Sequence, residues 1–297
     1  MLRFSILIPT WNNLNFLKLC VQAIRENSAT DHQIIIHVNG GGTDGTLQWV
    51  KNEGLDYTFS EDNIGVCWAM NLMRTKVKTD YICYLNDDMY VLPGWDVEFS
   101  KAIEESPDNR FFFSGTIIQP FTPCNDGVSG IRLNDGTNLE NFEKERLLSE
   151  YKQLYIDDWQ GATMPPNIVH RDTWDYVGGY SIEFFPGLGS DPDFTTKLWV
   201  SGVRLFKGLG KSLTYHFEGK STGRVRRNDG TLQYLLKWGI SQRVFRRNVE
   251  RRGAPYDASK SDAIDKKLLR REAAKYRFKT IFLLLRRKLG PINSIWE

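Results

Sequence analysis

Three times within the first 75 residues a short apolar run empties into a loop of Gly, Asn, Asp or Thr and is followed by apolar residues at helical spacing. Residues 4–9, FSILIP, lead through Thr10, Trp11, Asn12 and Asn13 to Leu14, Leu17, Val21 and Ile24. Ile34 to Val38 lead through Asn39-Gly40-Gly41-Gly42-Thr43-Asp44-Gly45 to Leu47 and Val50, closed near Gly54. Tyr57 to Phe59 lead through Asp62-Asn63-Ile64-Gly65 to Val66, Met70 and Met73. Strand, polar turn, helix is the repeating unit of a parallel sheet. It predicts an α/β chain whose loops meet at the carboxyl edge of the sheet, where ligands of such folds collect.

The next apolar run, Tyr81 to Leu85, has the character of a central strand buried on both faces and stops at Asn86, Asp87 and Asp88. Adjacent carboxylates raise each other's pKa unless a cation or hydrogen-bond donors sit between them. Few, hard oxygen ligands open on one side suit Mg²⁺ or Mn²⁺ shared with a phosphate. The plainer reading is a polar turn ahead of Pro93-Gly94.

Together these strings resemble the inverting family 2 glycosyltransferases of the GT-A fold. SILIPTWNN (5–13) is similar to that family's opening nucleotide-binding strand and turn, and VNGGGTDGT (38–46) to its Asp-Asp-Gly-Ser-Thr-Asp-Gly-Thr loop. DNIGVCWAMN (62–71) matches the Asn-x-Gly-x-x-x-x-x-Asn segment, and LNDD (85–88) stands where the Asp-x-Asp metal motif belongs. MPPNIVHRDTWDYVGGY (164–180) resembles the segment ending in Val-Gly-Gly-Phe, and GLGSDPDFTTKLWVSGVRLF (187–206) the Glu-Asp-x-Asp-Leu helix start with its Gly turn and strand. Four motifs in the family's order over the first half, continued in the second, carry the resemblance.

The resemblance implies a GT-A fold with a mostly parallel central sheet flanked by helices. Its catalytic domain would span residues 1–230, as a nucleotide- and metal-binding half (1–118) and an acceptor-binding half (119–230), followed by a basic helical extension (231–297). It implies Asp191 as the general base, with Asp193 on the acidic position two residues later. Asp88 would bind Mn²⁺ or Mg²⁺, with His216 as second ligand. Pro9, Thr10, Trp11, Asn39, Asn63, Gly65, Asn71, Asn86 and Asp87 would line the nucleotide-sugar site. Plainer readings stand beside these: Asp191 before a proline as a helix cap, His216 as a structural histidine, Asn63, Gly65 and Asn71 as packing residues. Trp11, Trp68 and Trp95 are either core residues or stacking platforms for a base.

Two departures bear on the donor. The family usually carries Asp where this chain has Asn39, commonly the acceptor for the N3 proton of uracil, and an Asn amide either accepts that proton or presents a donor instead. The metal motif opens with the neutral Asn86. A UDP-sugar is the favoured donor, with dTDP, GDP and CDP open. The acceptor is a hydroxyl on a glycan, lipid or protein. The competing readings are an inactive nucleotide-sugar or glycan-binding relative and a sugar-phosphate nucleotidyltransferase. The latter would want a basic phosphate loop after the first strand, and PTWNN has no Lys or Arg.

At 297 residues with 41% hydrophobic residues the chain can bury a full core. Cys20, Cys67, Cys83 and Cys124 show no C-x-x-C spacing and read as reduced thiols, which with strand residues beginning almost at Met1 predicts a cytoplasmic protein. Residues 119–140, rich in Pro and Gly, predict a long irregular loop beside the acceptor. Charge is segregated: residues 243–288 carry 16 Lys/Arg against 5 Asp/Glu in a chain whose formal net charge is +3. From Asp262 to Leu289 the pattern is helical, with Ile264, Leu268 and residues 281–285 apolar, Arg286-Arg287-Lys288 flanking and Gly290-Pro291 stopping it. Such a helix either lies on an anionic membrane or packs on the domain with its basic face in solvent. The shorter basic stretch Lys220 to Arg227 is read as a loop folding over the diphosphate or as a surface loop. Without an accompanying motif, nucleic acid is excluded as the partner.

Overall fold

The computed structural model describes residues 1–120, 130–218, 228–260 and 264–286. The three expected units are β1 (Phe4–Thr10) and α1 (Leu14–Asn27), β2 (Gln33–Val38) and α2 (Thr46–Asn52), and β3 (Asp56–Phe59) and α3 (Gly65–Arg74). β4 (Tyr81–Tyr84) follows, then β5 (Met89–Val91) and α4 (Trp95–Glu104). The second half comprises β6 (Phe111–Gln119), β7 (Gly130–Arg132), α5 (Lys144–Glu150), β8 (Trp159–Gln160), β9 (Asn167–His170), α6 (Arg171–Tyr176), α7 (Ser190–Val200) and β10 (Leu205–His216). Three helices close the described chain: α8 (Gly230–Trp238), α9 (Gln242–Phe245) and α10 (Lys266–Arg286).

One sheet runs in the order β3-β2-β1-β4-β9-β6-β10-β5, with β7 beside β6 and β8 beside β10. β1 pairs in parallel with β2 and β4, and β2 with β3, so the chain reverses its direction of growth between β1 and β4. That reversal opens a crevice beyond the strand ends. β9 enters antiparallel to both β4 and β6, and β10 returns parallel to β6. The sheet is therefore parallel in its first half and mixed in its second.

Strand residues alternate between two cores, as period-two pleating requires. Ile6, Ile8, Ile34 and Ile36 face α1 and α4, with Leu17, Val21, Trp95 and Phe99. Leu7, Ile35 and Ile82 face α3 and α7, with Met70, Met73, Phe194 and Leu198. The second core also takes Tyr234 of α8, Phe245 of α9 and Val249. Packing thus shows no break at residue 230, where the sequence reading ends the catalytic domain. Gln160 donates its backbone N–H to Ala254 (2.7 Å) and accepts one from Gly253 (2.9 Å), so residues 253–254 extend the edge at β8.

Two further expectations meet the structure only in part. In the loop expected over 119–140, Gly130–Arg132 is a strand parallel to β6, while residues 121–129, including Cys124, lie outside the described residues. Of the basic segments, Lys220 to Arg227, Arg287-Lys288 and Gly290-Pro291 also lie outside them. Ile264 and Leu269 pack on the second core, and the Tyr276 hydroxyl lies 3.0 Å from that of Ser241. Cys20, Cys67 and Cys83 are free and buried. No helix among the described residues is long and apolar enough to cross a membrane.

Candidate functional site

A cleft of about 510 Å³ opens at the carboxyl ends of β1, β2 and β4, within the range of small-molecule sites. Pro9, Thr10, Trp11, Asn39, Asn63, Gly65, Asn86, Asp87, Asp88, Asp191 and His216 all line it. Residues from six separate stretches of sequence converge there because their strands and helix ends stop at the same sheet edge.

At the acidic end, Asp87 and Asp88 are buried. The Thr10 hydroxyl donates to Asp87 Oδ2 at 2.6 Å, tying the end of β1 to the turn after β4. β5 runs antiparallel to β10 with Met89 opposite His216, which brings the residue before Met89 against the end of β10. Hence His216 Nε2 lies 3.4 Å from Asp88 Oδ1. Burial lowers the His216 pKa, but the Asp88 carboxylate, with Glu218 and Asp87 behind it, raises it above the ordinary histidine value. Among the described residues no three or more His, Cys, Asp or Glu side chains gather as a metal cage. One carboxylate and one imidazole fit a divalent cation only when substrate oxygens complete its shell, as for Mg²⁺ or Mn²⁺ shared with a diphosphate.

Asp191 lies in the first turn of α7 and lines another wall of the cleft. The Tyr180 hydroxyl donates to its Oδ1 at 3.1 Å. Burial pushes its pKa up to about 6, against the opposing pull of the Tyr180 hydrogen bond and the Arg252 charge. A carboxylate held near neutrality, still ionised at pH 7 and open to a cleft, is suited to take a proton. Asp193, two residues on, is fully buried and turned away: Trp238 Nε1 donates to its Oδ1 at 2.8 Å and Lys237 Nζ lies 2.9 Å from the same oxygen. It fastens α7 to α8.

The neutral end is built around Asn39. Its Oδ1 accepts the Ile64 N–H at 2.7 Å and the Ser60 hydroxyl at 3.2 Å, and its N–H donates to the Thr10 carbonyl at 2.9 Å. Behind it, burial drives His37 down to about 4, opposed by its hydrogen bond to Asn39, so this histidine is neutral. Trp11 leans over Gly40, whose φ is +65° and whose added Cβ would stand 2.7 Å from Trp11 Nε1. The other two tryptophans separate cleanly: Trp95 is buried in the first core, its Nε1 donating to Ser28, and Trp68 is exposed on α3. Asn71 does not line the cleft. Its amide donates to the Tyr180 carbonyl (2.8 Å) and accepts the Tyr180 N–H (2.9 Å), so it locks the turn that presents the Tyr180 hydroxyl to Asp191.

Tyr84, Met164, Tyr180, Ser190, Glu218 and Arg252 join the site without having been singled out as site residues. Tyr180 closes the quoted 164–180 segment, where a residue following Gly-Gly is its one signal. Arg252 has none. Its charge bears also on a second buried carboxylate, Glu250, which accepts the Ala162 N–H (3.0 Å) and the Thr163 hydroxyl (2.5 Å) from the loop that leads into Met164. Arg252 Nη2 lies 3.3 Å from Met164 Sδ.

The sequence profile described as glycosyl transferase family 2 matches residues 5–164, more than half of the chain. Hyaluronan synthase of Pasteurella multocida is 24% identical over 261 residues, which cover 85% of this chain and 24% of that protein. The chain thus spans about a quarter of the length of that curated relative. Among solved structures, S. aureus TarS 1–349 in complex with UDP-GlcNAc superposes with a TM-score of 0.60 at 14% identity, covering 97% of this chain and 76% of that one. GalNAc-T7 with UDP, GalNAc and Mn²⁺ gives a TM-score of 0.57 at 13% identity, covering 99% and 58%. Both share the GT-A fold with this chain.

Proposed function

The chain belongs to glycosyl transferase family 2, and from that premise we propose that it moves a sugar from a nucleoside-diphosphate donor, UDP foremost, to a hydroxyl acceptor with inversion at the anomeric carbon. The observation that carries this reading is the division of one cleft between Asp191, a lone carboxylate lifted to about 6, and the Asp88–His216 pair. Asp191 takes the proton of the acceptor hydroxyl as its oxygen bonds to the anomeric carbon. The bond from that carbon to the diphosphate oxygen breaks, and the nucleoside diphosphate leaves. A single displacement needs one base and inverts the centre. Asp88 and His216 would hold Mn²⁺ or Mg²⁺, which when bound supplies Lewis-acid stabilisation of the departing diphosphate. The UDP-GlcNAc bound to TarS and the UDP, GalNAc and Mn²⁺ bound to GalNAc-T7 support a uridine donor and a divalent cation in this fold. Glycan acceptors accord with the kinship to a hyaluronan synthase.

Exposed Lys266, Lys267, Arg270, Arg271, Lys275 and Arg277 on α10, with Phe278 76% and Ile281 57% exposed, support peripheral contact with an anionic membrane from the cytoplasmic side, where lipid-linked acceptors would be met.

The test is transfer itself. Purified chain is incubated with UDP-sugars, Mn²⁺ and oligosaccharide or lipid-linked acceptors, and the anomeric configuration of the first product is read by proton NMR. An inverted linkage that disappears in Asp191→Asn supports the reading. A retained configuration, or transfer undiminished in Asp191→Asn, contradicts it.

A further inference from the structure

The polarity of Asn39 is fixed by the protein, and it has a consequence for the base of the donor. A backbone N–H can be satisfied only by an acceptor, so the 2.7 Å bond from Ile64 N identifies the atom it meets as Oδ1. The Ser60 hydroxyl, which donates to the Asp62 carbonyl at 2.8 Å, also lies 3.2 Å from that oxygen. Rotating the amide by half a turn would set an NH₂ against the Ile64 N–H and leave that part-buried donor without its acceptor, while the Ser60 hydroxyl would keep the Asp62 carbonyl. Asn39 is 5% exposed, and the hydrogen bonds that reach its side chain from Ile64 and Ser60 both go to Oδ1, with the neutral His37 ring behind it. Since Asn39 lines the cleft, Nδ2 is the atom it turns to a ligand.

The sheet places that atom at the base end of a nucleotide. Asn39 follows β2, Thr10 ends β1, and Asp87 and Asp88 follow β4, the three strands lying side by side in that order. Two strand spacings separate Asn39 from the acidic turn by about 10 Å. Charge decides the orientation. A diphosphate with its cation belongs at Asp88 and His216, which leaves the uncharged end, with Trp11 as an aromatic wall and Asn39 as its polar group, for the heterocycle.

Resting on the proposed nucleotide-sugar reading but departing from its preference for UDP, we infer that Asn39 reads the base as a hydrogen-bond donor, and that the site therefore takes a pyrimidine presenting an acceptor at ring position 3, cytosine, at least as well as uracil. Cytosine N3 is unprotonated at neutral pH and accepts from an amide. Uracil carries a proton on N3, so an amide NH₂ meets it donor to donor and the ring must shift to offer O4 instead. A carboxylate at residue 39 would reverse the preference, accepting from uracil N3–H and repelling cytosine N3.

The experiment is calorimetric titration of UDP and CDP, each with Mn²⁺, into the full chain and into Asn39→Asp, with thermal melts to establish that both are folded. The parent is expected to bind CDP at least as tightly as UDP, and Asn39→Asp to move the ratio of the two dissociation constants about tenfold or more towards UDP. The parent comparison stands without the variant, should Asn39→Asp fail to fold beside buried His37. A parent that binds UDP tenfold more tightly than CDP overturns the inference, as does a folded Asn39→Asp with the parent's ratio. A cooperatively melting parent that binds neither nucleotide overturns the inference, and if GDP and dTDP also fail to bind, the nucleotide-sugar reading falls with it.

Discussion

Asp191 and Asp193 stand two residues apart at the start of α7 and do opposite work, because two helical steps, about half a turn, point the first into the cleft and the second into the core. Asp191→Asn keeps an oxygen for the Tyr180 hydroxyl but removes the base, so turnover is expected to fall on the order of 10²–10⁴-fold with nucleotide binding retained. The same substitution is expected to hold or raise the melting temperature at pH 8. The sign follows from the shift: the Asp191 pKa is raised above its ordinary value, so its contribution to stability is complete below pH 3.8 and is lost as pH rises through about 6. Activity runs the other way. The acceptor proton needs an ionised base, and kcat is expected to drop as pH falls through about 6, a limb that Asp191→Asn should lack. Asp193→Ala leaves the Trp238 N–H without its acceptor and takes one carboxylate from Lys237, which keeps Glu183 at 2.7 Å, and should cost about 1–3 kcal/mol in chemical denaturation. The acidic pair was legible as Asp-Pro-Asp at a helix start. Which of the two faces the cleft was not, since that depends on where α8 docks.

At the scale of elements, the strand and loop pattern announced β1, β2, β3 and β4 to within a residue or two, because β1, β2 and β4 are largely buried apolar runs and each of the four is punctuated by Gly or Asn. The nine buried residues of β6 carry no such punctuation beside a cleft, and the mixed pairing of β9 is a tertiary choice that period-two pattern cannot reveal. Asn71 shows the same limit: its spacing after Asn63 is readable, but its bond to Tyr180 spans 109 residues of chain. Gly65 is the element-scale weak point of the cleft. Its φ is +67°, and a Cβ there would stand 2.6 Å from the Pro186 carbonyl oxygen, with the Val66 N–H bonded to that same oxygen. Gly65→Ala is expected to push the 185–188 lip away from α3, raising KM for the donor several-fold while kcat falls less. Steady-state kinetics separate that outcome from a global loss of stability, which would lower active enzyme without changing KM.

For the whole molecule, the charge segregation seen in the sequence became a helix whose Ile264 and Leu269 end packs on the second core, and Tyr234, Phe245 and Val249 join that same core. Composition announced a basic extension. It could not announce Glu250, whose buried carboxylate holds the 162–163 loop, or Arg252, whose charge bears on both Glu250 and Asp191. Eleven residues named from motifs meet at one sheet edge because parallel strands of similar length end together, which is why the first half of the cleft was readable and the second, built from loops, was less so. The most direct test of the central claim is calorimetric titration of UDP and CDP, with and without Mn²⁺, into the parent, Asp88→Asn and Asp191→Asn. The account predicts nucleotide binding that requires the cation in the parent, that is lost in Asp88→Asn and that survives in Asp191→Asn. Binding of equal strength in the parent and Asp88→Asn, or none in a folded parent, would contradict it.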